Sequence, residues 1–190
     1  MSLKGFVREI ISYLKKDTWD SWLVSMALIV ICIKFVLFPL LSFITGTPLP
    51  LVVVESCSMY HASPFAKWWQ QNSQWYERHN VSYSEFKEFG FLQGLNKGDI
   101  VLVWGRDAYA QGDVIIFTAA TKYPIIHRII SEKPLSTKGD HNSDQLPLEK
   151  DIPKEAILGK AVGKIPLLGW VKLIFFEPFK SPDTRGPCKV

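Results

Sequence analysis

The chain reads as a mainly β domain preceded by one transmembrane helix and, ahead of that, by an amphipathic helix. Three observations predict this. Residues 22–44 form an apolar stretch with a single charge, Lys34. Short runs rich in β-branched residues, bounded by Gly, Pro, Asp or Asn, recur through the rest of the chain. The 190 residues are 47% hydrophobic and 13% aromatic, a content that offsets chain entropy and excludes intrinsic disorder. Other classes are excluded too. Three widely spaced cysteines, Cys32, Cys57 and Cys188, do not make a disulfide miniprotein. The net charge of +4 comes from scattered lysines, with no basic stripe among the aromatics, so no nucleic-acid partner is expected.

Residues 1–20 are an amphipathic interfacial segment. Leu3, Phe6, Val7, Ile10, Ile11 and Leu14 share one helical face, with Lys4, Arg8, Lys15 and Lys16 among them, as in a helix lying on an anionic bilayer surface. Trp19 and Trp22 stand where an interfacial aromatic belt belongs. Residues 21–45 are the anchor. The apolar run spans about 35 Å as a helix, enough to cross a hydrocarbon core of about 30 Å. Pro39 predicts a kink in its distal half. Lys34, near the midpoint, costs about 2.5–3.5 kcal/mol unless it snorkels or is paired. That implies either an accessory membrane subunit or displacement toward one interface. No Lys or Arg lies between Lys34 and Lys67, so the positive-inside rule puts the N-terminus in the cytoplasm and residues 46–190 outside. A cleaved leader fits less well, because the run is long and no small-residue cleavage pattern precedes Gly46.

Residues 46–190 suffice for one core. Strands are expected at 49–54, 100–104, 114–117, 125–130 and 157–162. Two open alike, Gly98-Asp99-Ile100-Val101 and Gly112-Asp113-Val114-Ile115, which suggests neighbouring strands. The expected architecture is a mixed, mostly antiparallel sheet or barrel. Residues 61–96 break the pattern. They are aromatic, polar and poor in β-branched residues, and read as a partly helical insertion tied down by Phe86, Phe89 and Phe91. Trp68, Trp69 and Trp75 are placed to cover a groove or to press on lipid headgroups. Asn80-Val81-Ser82 fits a glycosylation acceptor. Residues 165–179 are too short to span and read equally as core or as a second surface dipping into a bilayer.

Four features of this part bear chemistry: Ser56-Cys57-Ser58-Met59, His127-Arg128 in an apolar strand, Thr137-Lys138-Gly139-Asp140 opening a turn, and Asp144 within it. Each alone is ordinary. Together with the two Gly-Asp strands and a closing Lys164-Ile165-Pro166 segment ending at Gly169, they stand in an order that resembles type I signal peptidases of the archaeal and endoplasmic-reticulum kind. The resemblance covers nearly the whole chain except 61–95. It implies a membrane-bound serine endopeptidase that cleaves signal peptides from exported preproteins after small residues, acting on a strand added to a sheet edge. It implies no cofactor, and signal peptides and the bilayer as partners. Alternatives are a peptidase specialised for a few surface or pilin-like precursors, a catalytically inactive binding module, and a self-cleaving regulator.

A serine hydroxyl attacks only when a base takes its proton. The resemblance makes Ser58 the nucleophile and His127 its general base, since bacterial relatives of the broader group carry lysine at that place. The histidine needs an acid to hold its tautomer. The resemblance favours Asp144, with Asp140 bracing the turn. The oxyanion is assigned to the Ser58 N–H and the Ser56 hydroxyl. Met59 is expected beneath the nucleophile, against substrate or the membrane edge. Lys34 and Lys138 are weaker rivals as base. His61, His127, His141 and Asp140 match no metal-ligand spacing. His61 stands where the family has proline, and Cys57, where it has a small residue, suggests sensitivity to bulky thiol reagents.

Overall fold

The computed structural model describes residues 3–106 and 108–189. They divide into two compact units, Met1–Ile44 and Thr45–Val190. The first is helical. Helix α1 (Leu3–Leu14) covers the amphipathic segment, although the side chains of Leu3, Lys4, Phe6, Val7 and Ile10, which define most of its expected face, lie outside the described residues. Tyr13 clasps the connection to α2 (Trp19–Cys32): its hydroxyl donates to Asp20 (2.9 Å), and its carbonyl accepts from Ser21 Oγ (2.8 Å).

Helix α2, a π-helical turn (Ile33–Leu37) and α3 (Phe38–Thr45) run without a break from Trp19 to Thr45, long and apolar enough to cross a membrane. The irregularity has a cause. Pro39 has no N–H to donate and its ring crowds the preceding turn, so the helix widens just before it, with the Phe38 N–H reaching Ile33 O. Lys34 lies in this widened turn, exposed, its Nζ 5.4 Å from the Phe35 ring centroid.

The second unit is built on one six-stranded sheet in the order β1-β2-β6-β3-β4-β5, with every pair antiparallel. The strands are β1 (Leu51–Val53), β2 (Ile100–Trp104), β3 (Val114–Phe117), β4 (Ile125–Glu132), β5 (Leu135–Lys138) and β6 (Ile157–Ile165). The expected mixed sheet or barrel is therefore corrected to an open antiparallel sheet with β1 and β5 at its edges. Strand β5 falls in a stretch that reads as the approach to a turn. β3 shows why an uninterrupted apolar run is a strand here. Val114 and Ile116 pack with Val54, Met59, Leu95 and Val101, while Ile115 and Phe117 pack on the other face with Ile129 and Ile152.

The two Gly-Asp signals are the same turn made twice. In each, the Asp N–H bonds to the carbonyl three residues back, the Asp carboxylate accepts that residue's N–H, and the Gly takes φ 90°. The strands they open are nevertheless not neighbours. β6 runs between them, and its Lys164 and Lys160 pair with Asp99 (3.0 Å) and Asp113 (3.4 Å).

The insertion supplies α4 (Phe65–Arg78) and α5 (Tyr83–Glu88). Ser82 and Glu85 form a capping box at the start of α5. Trp68 and Trp69 do not cover a groove. They are buried with Phe65, Tyr76, Val81 and Phe86, and this small aromatic core meets the sheet at Ile130. In 165–179 the reading as core is overturned. Only Gly169, Leu173 and Glu177, four apart, are buried; in helix α6 (Trp170–Phe176) Trp170 is half-buried against the first Gly-Asp turn, and Val171, Ile174, Phe175 and Phe176 are exposed.

Gly98 tests the turn. A Cβ there meets Trp170 Cδ1 at 2.2 Å, with φ in the left-handed region, whereas one at Gly163 meets nothing within 4 Å. Gly98→Ala is expected to lose about 1–3 kcal/mol in denaturant unfolding. Gly163→Ala should stay within about 0.5 kcal/mol of wild type or gain stability.

Candidate active site

The serine box follows β1. Val54 is held by the first Gly-Asp turn, its N–H to Asp99 O (2.9 Å) and its carbonyl to the Gly98 N–H (2.8 Å). The chain then turns at 57–60, where the Tyr60 N–H reaches Cys57 O (3.0 Å). Two further bonds fix it at Ser58 and Met59: His141 N–H to Ser58 O and Leu95 N–H to Met59 O, both 2.8 Å. Ser58 is half-buried, and its Oγ lies 3.1 Å from the Oγ of exposed Ser56.

His127 and Arg128 are adjacent on β4, so their side chains leave opposite faces of the strand. His127 is 3% exposed and its Nδ1 bonds to Glu149 Oε1. Glu149, fully buried at the end of a 3₁₀ turn (Pro147–Glu149), also accepts from Thr137 Oγ1 (3.0 Å) and from the Leu146 N–H (2.7 Å). Its carboxylate is thus fixed before it meets the imidazole. The pairing of Arg128 with Lys138 puts His127 across from Gly139. A Cβ on Gly139 would lie 2.7 Å from His127 Nε2 and 2.8 Å from Ser58 O. The missing side chain is what lets the imidazole and the serine box converge.

Arg128 leads to a second, wholly buried cluster. Its Nε and Nη2 donate to the Asp140 carboxylate (3.0 and 2.8 Å), and its Nη1 to Gly90 O and Gly112 O. Asp140 also meets His61 Nε2 (3.0 Å) and accepts from the Tyr76 hydroxyl (3.1 Å). Burial opposes its ionisation, but Arg128 beside it and the bond to His61 hold the carboxyl well below the usual carboxylate range. The same burial, reinforced by Asp140, raises the Tyr76 phenol. His61 stacks on Trp68 at 3.8 Å, and the Arg128 guanidinium lies over Phe86 at 4.8 Å.

Several expectations need correction. Asp144 does not meet His127. It is exposed, accepts from Trp75 Nε1 (2.9 Å), and is held below the usual carboxylate range by that bond; Glu149 occupies the place expected for it. Met59 is not open to substrate, being 1% exposed with its sulfur accepting from the Asp140 N–H (3.4 Å). Cys57 is not a free thiol but is bonded to Cys188. Lys138 faces away from the serine, its Nζ over Trp75 and Tyr76 (4.9 and 5.0 Å) and donating to Gly139 O. His141 is exposed, edge-on to Tyr60, and among the described residues no three His, Cys, Asp or Glu gather as metal ligands.

Glu149, Tyr76 and β5 were the elements missed. Glu149 had one signal: Pro147 two residues earlier marks a helical first turn, whose third residue folds back on the N-cap N–H.

A serine box and an imidazole that converge on Gly139, with a buried carboxylate behind the imidazole, are the parts that nucleophilic acyl transfer uses. No protein-family model matches the chain. Curated relatives do. Over 107 residues it is 32% identical to the signal peptidase complex catalytic subunit SEC11 of Ogataea parapolymorpha, covering 44% of this chain and 61% of that protein. Over 172 residues it is 27% identical to the SEC11 subunit of Colletotrichum graminicola, covering 83% and 81%. The subunit of Metarhizium robertsii is 27% identical over 158 residues, covering 75% and 73%. The chain is thus similar to catalytic subunits of the signal peptidase complex, all of them fungal here, and the archaeal half of the resemblance gains nothing from them.

Lys138 gives a test of the buried cluster. Burial lowers its ammonium from 10.5 to about 8. Between those values the unfolded chain binds more protons than the folded one, so stability rises with pH across that window. In denaturant unfolding, wild type should gain up to about 3 kcal/mol relative to Lys138→Met between pH 8 and pH 10.5.

Proposed function

We propose that the chain is a membrane-bound serine endopeptidase that removes signal peptides from exported preproteins, with Ser58 as nucleophile, His127 as general base and Glu149 as the acid behind it. The observation that carries this is the convergence of the Ser58 backbone and His127 Nε2 around Gly139, with Glu149 fixed on Nδ1. Rotation of the Ser58 side chain exchanges its Ser56 partner for Nε2. Oγ then attacks the scissile carbonyl as His127 takes its proton. The oxyanion forms against the Ser58 N–H and the Ser56 hydroxyl. His127 passes the proton to the leaving amine, and a water, activated by the same imidazole, releases the acyl group. Glu149 holds the tautomer with Nε2 free and stabilises the imidazolium; Asp140 braces the turn.

The anchor 19–45 tethers the enzyme to the bilayer, where signal peptides are presented, with Lys34 as the contact for an accessory membrane subunit. The outward apolar face of α6 and the segment after it rest on lipid headgroups: Ile174, Phe175 and Phe179 are 64%, 70% and 87% exposed. A disulfide in the second unit supports an oxidising, extracytoplasmic setting for it.

Mass spectrometry of a model preprotein incubated with the full-length protein in detergent tests the chemistry. Ser58→Ala and His127→Ala should lower cleavage by at least about 10³-fold, and Glu149→Gln by about 10⁴-fold. Asp144→Asn should stay within a few-fold of wild type. Cleavage undiminished in Ser58→Ala rejects the mechanism. Orientation is tested at Asn80, exposed between α4 and α5. In a eukaryotic secretory system the wild type should carry a glycosidase-sensitive glycan that Asn80→Gln lacks.

A further inference from the structure

The bonds that hold the serine box come from two sources. After Ser58 they come from the sheet domain's own turns, through His141 and Leu95. Ahead of it, residues 55–57 are gripped by residues 172–188. Cys57, placed between the two serines, is joined to Cys188 across 131 residues of sequence. Lys180 Nζ donates to Glu55 O (3.3 Å) and pairs with its carboxylate (3.7 Å), while Lys172 meets the other carboxylate oxygen at 2.8 Å.

The segment that makes these contacts is itself tied. Glu177, 6% exposed, accepts from Lys97 Nζ and the Gly186 N–H, each at 2.7 Å, and pairs with Lys180 at 3.0 Å. Lys97 Nζ also donates to Thr184 O (2.7 Å), and Arg185 Nη2 donates to the carbonyls of Pro178 and Lys180. Lys97 belongs to the Gly-Asp turn that holds Val54. One segment therefore grips both the turn that holds Val54 and the box itself.

We propose that residues 177–188 form a strap, closed by the Cys57–Cys188 disulfide, that sets the positions of Ser56 and the Ser58 N–H, so that Cys57, Cys188, Glu55 and Lys180 are positioning residues for acyl transfer. This rests on the reading of Ser58 as nucleophile. Ser56 is exposed and lies outside the sheet ladder, so few other contacts hold it against a developing oxyanion. A misplacement of about 1 Å in such donors costs about 100-fold in rate. Opening the strap needs a dithiol. Two electrons and two protons pass to the sulfurs, leaving Cys57 and Cys188 as thiols, while the dithiol closes to its own disulfide.

The test uses full-length protein in detergent, in a Cys32→Ala background that removes the exposed free thiol, with the model preprotein as substrate. Dithiothreitol should lower kcat at least 10-fold with KM within twofold, and reoxidation by oxidised glutathione should restore it. Cys188→Ala should show the same low kcat and no further response to dithiothreitol. Lys180→Met, which leaves the disulfide in place, should lower kcat about threefold, and it supplies the answer should Cys188→Ala fail to fold. Full kcat in reduced wild type or in Cys188→Ala, or equal inhibition of both by dithiothreitol, overturns the strap. If Ser58→Ala is inert in the same assay, that result leaves the nucleophile standing; if Ser58→Ala is active, it is the underlying mechanism that fails.

Discussion

A fully buried ion pair, Arg128 with Asp140, is the constraint on which the second unit's architecture depends. Removing both charges from water is costly and is offset only when their remaining hydrogen-bonding capacity is satisfied. Here it is: backbone carbonyls at Gly90, Phe91 and Gly112 take the guanidinium, while His61 and Tyr76 meet the carboxylate. Those partners come from the approach to β3, the insertion and the segment after the serine box. None can move alone without uncovering a charge. The backbone of the same turn then reaches the serine box, through the Asp140 N–H to Met59 and the His141 N–H to Ser58.

The insertion therefore belongs to the interior. Its tryptophans build a small core whose polar edges, Tyr76 and His61, face Asp140, and whose aromatic faces receive Arg128 and Lys138. Two buried carboxylates divide the work accordingly. Asp140, against a permanent cation, is held ionised. Glu149, against the imidazole, is held in place by Thr137 and Leu146. Adjacent residues on one strand face these two acids because strand side chains alternate.

Much of this was legible before any coordinates. The strands at 100–104 and 114–117 were read to the residue, because Gly-Asp turns and β-branched runs mark their ends locally. The candidate serine, histidine and turn aspartate stand out through the order of their boxes. Asp144 misled, since closeness in sequence to a turn says nothing of which face of the turn a carboxylate takes. Glu149 was hidden for the opposite reason: it reaches His127 by a Pro-started turn that carries it back beneath β5. The tryptophans read as a surface cover because the pattern of buried faces on α4 is interrupted by polar residues.

What the sequence alone determined was local or cumulative: the apolar length of the anchor, the Gly-Asp turns, most of the strands and the candidate nucleophile and base. These depend on the steric preferences of neighbouring residues and on summed hydrophobicity, both of which are written along the chain. Only the tertiary structure decided that β6 separates β2 from β3, that Glu149 rather than Asp144 stands behind His127, that the insertion is buried, and that Cys57 is joined to Cys188. Each is a pairing across many residues, chosen because it leaves the fewest buried polar groups and apolar surfaces without a partner, and that choice is made by the whole packed chain.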